Sequence, residues 1–277
     1  MLLLLVSGLS RAQPSDAGTT TDVPQVLSPA RALVDATLAS EFFEETLGGG
    51  RHFRFGTDRG PVHVFVPEGY RAAQAGIVVY VHGYTQNVDQ VWEEHRLGWQ
   101  FAGSGLNALF VVPEVPSARA DDVFWKDLEA LLTTVRRRTH LRWPKGPIVA
   151  AGHSGAYRTL STWLSDPQLS QVLLIDALYA NEPEFGRWVK ASQADRQLVL
   201  VSIETVERTA GFLRKFRRAA LREEIPEGGR SWTRRERLAM VVALQTSRYD
   251  HFTLITSGEV LPVLLQLSPL ERVAESR

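Results

Sequence analysis

The chain has 277 residues, of which 44% are hydrophobic and 22% charged, a composition that supports a globular domain with a buried core. Its 31 basic and 31 acidic residues cancel, so the net charge indicates no general affinity for nucleic acid or for an anionic membrane. Because the sequence contains no cysteine, disulfides, thiolate metal sites and a cysteine nucleophile are excluded.

The first residues form an apolar run that ends at Leu9 and is too short to span a bilayer. It is similar to the core of a secretory signal segment, and Ser10-Arg11-Ala12 is compatible with a cleavage site. The polar residues that follow, rich in Ser, Thr, Pro and Gly, are typical of a flexible leader. We therefore expect residues 1–29 to be a targeting segment with its leader and residues 30–277 to be one domain. The protein is expected to be exported to the periplasm or secreted, with a cytoplasmic location as the alternative, and without stable membrane insertion.

The remaining chain alternates between predicted helices and strands. Helical spacing of apolar residues predicts helices over residues 31–47, 88–101, 121–138, 183–194 and 207–224, and a last one that ends at Leu265. Period-two alternation on both sides of the turn Asp58-Arg59-Gly60 predicts an antiparallel hairpin, residues 52–55 with 62–67, that has one solvated face. Continuous apolar runs predict buried strands over residues 76–81, 107–113, 147–150, 171–176, 197–204 and 239–244. This order predicts an α/β fold whose mostly parallel central sheet follows an N-terminal antiparallel hairpin and has helices on both faces.

A serine flanked by small residues follows the third of these buried runs, residues 147–150. The sequence Gly152-His153-Ser154-Gly155-Ala156 fits the strand–turn–helix pattern of a nucleophile elbow, although the last glycine of that pattern is alanine here. The small side chains are needed because a turn this tight leaves no room for bulky ones. The alternative is that Ser154 only caps the following helix.

Other polar residues also follow predicted strands, notably His82, Glu114, Asp176, Glu204 and His251. Reactive groups of open α/β sheets collect at the carboxyl ends of strands. In its element order, its elbow and its order of serine, acid and histidine, the chain resembles the α/β-hydrolase superfamily over roughly residues 50–270. His82-Gly83, the elbow and residues 174–179 also resemble a group of poorly characterised bacterial hydrolases.

The resemblance implies a serine hydrolase in which Ser154 is the nucleophile and His251, after the last strand, is the general base. His153 is expected to point away from the nucleophile. The third residue is open between two acids. The usual position in the superfamily corresponds to Glu204 and a recognised variant to Asp176. Each acid closes an apolar run and would need a partner there. We favour Asp176 because it belongs to the stretch that carries the narrower resemblance, whereas Glu204 could instead begin the following helix.

The oxyanion hole is expected to use the amide of Gly155 and the amide of Tyr84, in the loop after His82-Gly83. No metalloprotease, Walker or dinucleotide motif is present in the sequence, so neither a metal nor a cofactor is implied. The expected substrate is a small molecule or a peptide, an ester rather than an amide. A peptidase or amidase with the same triad, and a non-catalytic ligand-binding protein of this fold, remain alternatives.

Overall fold

The computed structural model describes residues 42–191, 196–227 and 232–274. The predicted targeting segment, the leader and most of the first predicted helix lie outside these residues. No helix in the described ranges is long and apolar enough to cross a membrane.

The described residues form a ten-stranded mixed sheet. Its strands are β1 (Phe43–Leu47), β2 (Gly50–Phe55), β3 (Val62–Pro67), β4 (Gly76–Val81), β5 (Ala108–Pro113), β6 (Ile148–His153), β7 (Leu169–Ile175), β8 (Gln197–Ser202), β9 (Ala219–Arg222) and β10 (Val241–Gln245). Their spatial order is β1-β2-β3-β5-β4-β6-β7-β8-β10-β9. The pairs β1–β2, β2–β3 and β3–β5 are antiparallel and all the others are parallel. The predicted fold class is therefore confirmed.

Helices cover both faces of this sheet. They are α1 (Val88–Glu94), α2 (Leu97–Ser104), α3 (Leu128–Thr139), α4 (Tyr157–Thr162), α5 (Glu182–Ala191), α6 (Val206–Leu213), α7 (Arg234–Leu238), α8 (Thr253–Thr256) and α9 (Val260–Leu265). The apolar side chains of α3 to α6 form one core with one face of the sheet, and those of α1, α2, α8 and α9 form a second core with the other. Strand β4 shows why the predicted buried strands are continuously apolar: Ile77, Val79 and Val81 belong to the first core, and Val78 and Tyr80 to the second.

The predicted helix over residues 31–47 is wrong in its described part. Phe43–Leu47 is a strand that pairs antiparallel with β2. The connection is a two-residue turn in which Gly48 and Gly49 have φ values of 51° and 85°. Two positive φ values are what a tight hairpin turn requires, so these glycines close a hairpin and do not terminate a helix.

The predicted basic helix over residues 207–224 is also wrong in its second half. Helix α6 ends at Leu213, and the chain then forms β9, which pairs parallel with β10 at the edge of the sheet. Similarly, the helix predicted from residue 121 begins only at Leu128, where the Asp127 side chain caps it by accepting the amides of Glu129 and Ala130.

The predicted hairpin, β2 with β3, is present, but β3 has no solvated face. His63 is 3% exposed because its ring stacks on Trp92 of α1, with ring centroids 4.8 Å apart. Polar residues in an alternating pattern can therefore be buried when a helix packs over them.

Candidate active site

Ser154 lies at a tight turn between β6 and α4 and begins a single 3-10 turn, Ser154–Ala156. Its φ of 54° lies in the left-handed region, which is strained for a residue with a side chain. A β-carbon at Gly152 would come within 2.5 Å of the Ala156 Cβ and 3.2 Å of the Val81 carbonyl oxygen, so the turn requires glycine there. The strand–turn–helix geometry expected around Ser154 is present.

His251, in the loop between β10 and α8, reaches the acid that follows β7. Its Nδ1 lies 2.7 Å from Oδ2 of Asp176, whose side chain is fully buried. The other oxygen of Asp176, Oδ1, accepts the amides of Ile203, Glu204 and Thr205 at 3.0 to 3.1 Å and the hydroxyl of Thr205 at 2.8 Å. The turn after β8 thus surrounds the carboxylate with donors and leaves Oδ2 facing the imidazole.

These contacts determine the charges of the pair. Burial by itself raises the pKa of Asp176, but the hydrogen bonds from His251, the Ile203 and Glu204 amides and the Thr205 hydroxyl outweigh burial and hold that pKa well below its usual range. The bond to Asp176 raises the pKa of His251, against the opposing effect of burial. A carboxylate that stays ionised therefore faces an imidazole that it helps to protonate.

Glu204, the other candidate acid, lies beside this pair but is bonded differently. Its backbone amide donates to both oxygens of Asp176, and its exposed carboxylate accepts the Tyr179 hydroxyl at 2.6 Å. No hydrogen bond joins the Glu204 carboxylate to His251 in the part of the chain that the structure describes. Of the two acids, the one that bonds the imidazole is Asp176.

His153 does not point away from the site as expected. Its ring lies 4.5 Å from the ring of His251, centroid to centroid, and its Nε2 donates to the His251 carbonyl oxygen at 2.8 Å. Burial, with the nearby His251 charge, lowers the pKa of His153 to about 4, so the ring is neutral near pH 7. The residue before the serine thus holds the backbone of the loop that carries His251.

The loop after β4 lies against the elbow. A β-carbon at Gly83 would be 2.9 Å from the Ser154 Cβ, and one at Gly155 would be 2.5 Å from the ring of Tyr84. The predicted oxyanion residues, Tyr84 and Gly155, are therefore neighbours next to Ser154. Among the described residues, the Ser154 hydroxyl has no hydrogen-bond partner, so it does not bond to His251.

Three residues here have potential metal ligands close together. One ligand atom each of Asp176, Glu204 and His251 lies within 4.8 Å of the others. The two Asp176 oxygens, however, already accept hydrogen bonds from five protein donors, and the Nδ1 of His251 is one of those donors. The Glu204 carboxylate accepts the Tyr179 hydroxyl, so all three groups have hydrogen-bond partners within the protein.

Sequence reasoning assigned no role to Thr205 or Tyr179, and it noted Glu114 only as a polar residue at a strand end. Thr205 donates twice to Asp176 and Tyr179 bonds Glu204, as described above. Glu114 contacts His82 at 3.1 Å. The sequence signal for Glu114, an acid directly after a buried strand, places it at the site but does not reveal this contact.

The sheet order, the helices on both faces and the elbow after β6 define the α/β-hydrolase fold. Solved structures with this fold match most of the chain. An S-formylglutathione hydrolase from Agrobacterium tumefaciens has a TM-score of 0.52 at 14% identity, covering 84% of this chain and 99% of that chain. The thermostable carboxylesterase EstE1, cloned from a metagenomic library, has a TM-score of 0.51 at 13% identity, covering 87% and 97%.

A feruloyl esterase module from Clostridium thermocellum has a TM-score of 0.50 at 10% identity, covering 82% of this chain and 88% of that chain. At these identities the likeness defines the fold alone. No protein-family model matches the sequence, and no curated protein matches it significantly.

Proposed function

We propose that this protein is a serine hydrolase that cleaves carboxylic esters through an acyl-enzyme intermediate. The observation that carries the proposal is the 2.7 Å bond between His251 and the buried Asp176, at the same strand ends as the strained Ser154 turn. The three structural neighbours described above are named as an S-formylglutathione hydrolase, a carboxylesterase and a feruloyl esterase, which is consistent with ester hydrolysis on this fold.

In the proposed reaction, His251 is the general base. With its Nδ1–H bonded to Asp176, the imidazole carries its lone pair on Nε2, which can take the proton from the Ser154 hydroxyl. The Ser154 Oγ attacks the ester carbonyl, the bond to the alcohol breaks, and His251 returns the proton to that alcohol. The absence of a Ser154–His251 hydrogen bond is compatible with this role, because such contacts often tighten only when substrate is bound.

The second half of the reaction repeats the first with water. His251 takes a proton from a water molecule, the resulting hydroxide attacks the acyl carbon, and the Ser154 oxygen leaves and recovers its proton from His251. Asp176 keeps its negative charge throughout and stabilises the imidazolium that forms twice per turnover.

The oxyanion of each tetrahedral intermediate would be held by the amides of Gly155 and Tyr84. Gly155 is at the start of a helical run, where a backbone N–H has no partner within the helix. The Tyr84 amide donates to no other group among the described residues. Donors aimed at the developing charge are worth about a hundredfold or more in rate.

The decisive test is covalent labelling of Ser154. The wild-type protein, incubated with a fluorophosphonate probe, should gain one label, and peptide mass spectrometry should locate it on Ser154. Ser154→Ala should not be labelled, whereas Ser161→Ala, on the helix after the elbow, should be labelled like the wild type. A folded wild-type protein that takes no label would refute the proposed function.

The choice between ester and amide substrates rests on a separate assay. p-Nitrophenyl esters of short and long acyl chains, and aminoacyl p-nitroanilides, should be tested under identical conditions with Ser154→Ala as the blank. We expect hydrolysis of at least one ester series. Serine-dependent hydrolysis of the anilides alone would instead identify a peptidase or amidase.

A further inference from the structure

Both ends of the loop that carries Tyr84 are bonded to one carboxylate, that of Glu114. This residue follows β5, and its side chain is 13% exposed. Its Oε1 lies 3.1 Å from Nε2 of His82, where the loop begins, and its Oε2 accepts the amide of Val88 at 3.0 Å, where the loop ends and α1 begins. We call residues 82–88 the oxyanion loop. The Glu114 carboxylate, at the end of β5, thus connects the two ends of this loop.

His82 connects the oxyanion loop to Glu114 through both of its ring nitrogens. The other ring nitrogen of His82, Nδ1, lies 2.7 Å from the carbonyl oxygen of Gly83. The two ring nitrogens of His82 thus face two acceptor oxygens, one within the loop and one on the strand end. The His82 side chain is fully buried, so losing either contact would leave a buried polar group without its partner.

The contact to Val88 has a different physical basis. Val88 is the first residue of α1, and the first amides of a helix have no intrahelical partner. Asn87 caps this helix through the amide of Gln90 and leaves the Val88 amide to Glu114. Without the carboxylate, a donor at the end of the oxyanion loop would be left without its partner.

We propose that Glu114 is a positioning residue that holds the oxyanion loop in its working conformation. It acts through His82 and Val88, and its effect is to keep Gly83 beside Ser154 and Tyr84 beside Gly155. The catalytic consequence rests on the proposed function, whereas the mechanical consequence, a fixed loop, does not. Glu114→Gln should therefore loosen the loop, because a side-chain amide has one acceptor oxygen where the carboxylate has two.

The mechanical part can be measured without substrate by hydrogen–deuterium exchange of the full chain. In Glu114→Gln, peptides covering residues 82–88 should exchange at least about tenfold faster than in the wild type, as expected when a charge-assisted hydrogen bond is lost. Peptides from β8 should be unchanged. Glu236→Gln is the matched control, since the Glu236 carboxylate is as buried and bonds Arg222 and Thr233 far from this loop.

The catalytic part is measured by the split between kcat and KM. Glu114→Gln should lower kcat about tenfold to a hundredfold, part of the effect of losing one oxyanion donor, and leave KM within about twofold. A boronic-acid analogue of the tetrahedral intermediate should bind more weakly by the same factor as kcat/KM falls. Glu236→Gln should change none of these quantities.

The outcomes are distinguishable. Unchanged exchange over residues 82–88, or equal acceleration in Glu236→Gln, would overturn the positioning role. Faster exchange in a protein that takes no fluorophosphonate label would support the positioning role and refute the proposed function. If Glu114→Gln does not fold, Val88→Pro removes the N–H that Glu114 accepts, at a helix position that tolerates proline, and should accelerate exchange at the end of the same loop.

Discussion

Replacement of Asp176 with asparagine is the sharpest test of the site, because the structure determines how the asparagine must sit. The Oδ1 of Asp176 is surrounded by donors, the amides of Ile203, Glu204 and Thr205 and the hydroxyl of Thr205. An amide nitrogen placed among these donors would have no acceptor. The asparagine therefore keeps its oxygen there and turns its NH₂ group towards Nδ1 of His251.

The consequence is a change of tautomer in His251. Its Nδ1 must now accept a hydrogen bond from the NH₂ group, so the ring proton moves to Nε2, the nitrogen needed to accept the proton of Ser154. A serine hydrolase with its histidine in this tautomer loses about 10⁴-fold in kcat. That factor corresponds to about 5.5 kcal/mol of transition-state stabilisation.

The assay is kcat for the best p-nitrophenyl ester, with circular dichroism and thermal unfolding to verify the fold of each variant. Glu204→Gln is the matched control, because Glu204 is an acid at a neighbouring strand end whose carboxylate does not bond His251. This variant should keep kcat within about tenfold of the wild type. The reasoning is refuted if Asp176→Asn keeps more than about a tenth of the activity, or if Glu204→Gln loses as much as Asp176→Asn.

Three further outcomes follow from the same geometry. The bond to Asp176 is the main cause of the raised pKa of His251 and the Glu204 charge adds to it, so Glu204→Gln should move the acid limb of the kcat/KM profile to lower pH; an unmoved limb contradicts this. Because burial lowers the pKa of His153 to about 4, the unfolded chain binds more protons below pH 6.5, so stability should fall as the pH drops towards 4. In urea unfolding, the free energy of unfolding of the wild type should fall by up to about 3 kcal/mol more than that of His153→Gln over that pH range, and equal losses in the two proteins would refute this prediction. Finally, a β-carbon at Gly155 would lie 2.5 Å from the ring of Tyr84. Gly155→Ala should therefore lower kcat/KM about tenfold or more at unchanged Tm. Activity equal to that of the wild type would be inconsistent with this crowding.

The central part of the fold could be predicted from the sequence because its strands are buried on both faces. The inner positions of a strand such as β4 or β8 must all be apolar, and this pattern is visible without knowing the neighbouring strands. The same holds for the elbow, whose small residues are required by local crowding around Ser154. Both features depend only on residues close together in the sequence, so they can be predicted from the sequence alone.

The edges of the sheet could not be predicted, because their structure depends on distant partners. Phe43–Leu47 has helical apolar spacing and becomes a strand only because β2 returns beside it. Ala219–Arg222 continues a basic segment of helical character and becomes a strand because β10, some twenty residues later, offers its edge. Tertiary pairing overrides local propensity at such positions.

The choice between Asp176 and Glu204 shows the same limit at the scale of single atoms. Both acids follow buried strands, and both bring an oxygen close to His251. What separates them is the turn after β8, whose three amides and one hydroxyl all point at Asp176. Those donors keep Asp176 ionised in a fully buried position, while the Glu204 side chain turns outwards to Tyr179. Glu204 thus contributes its backbone amide to Asp176, an arrangement that the spacing of residues in the sequence does not reveal. The variants Asp176→Asn and Glu204→Gln test it directly.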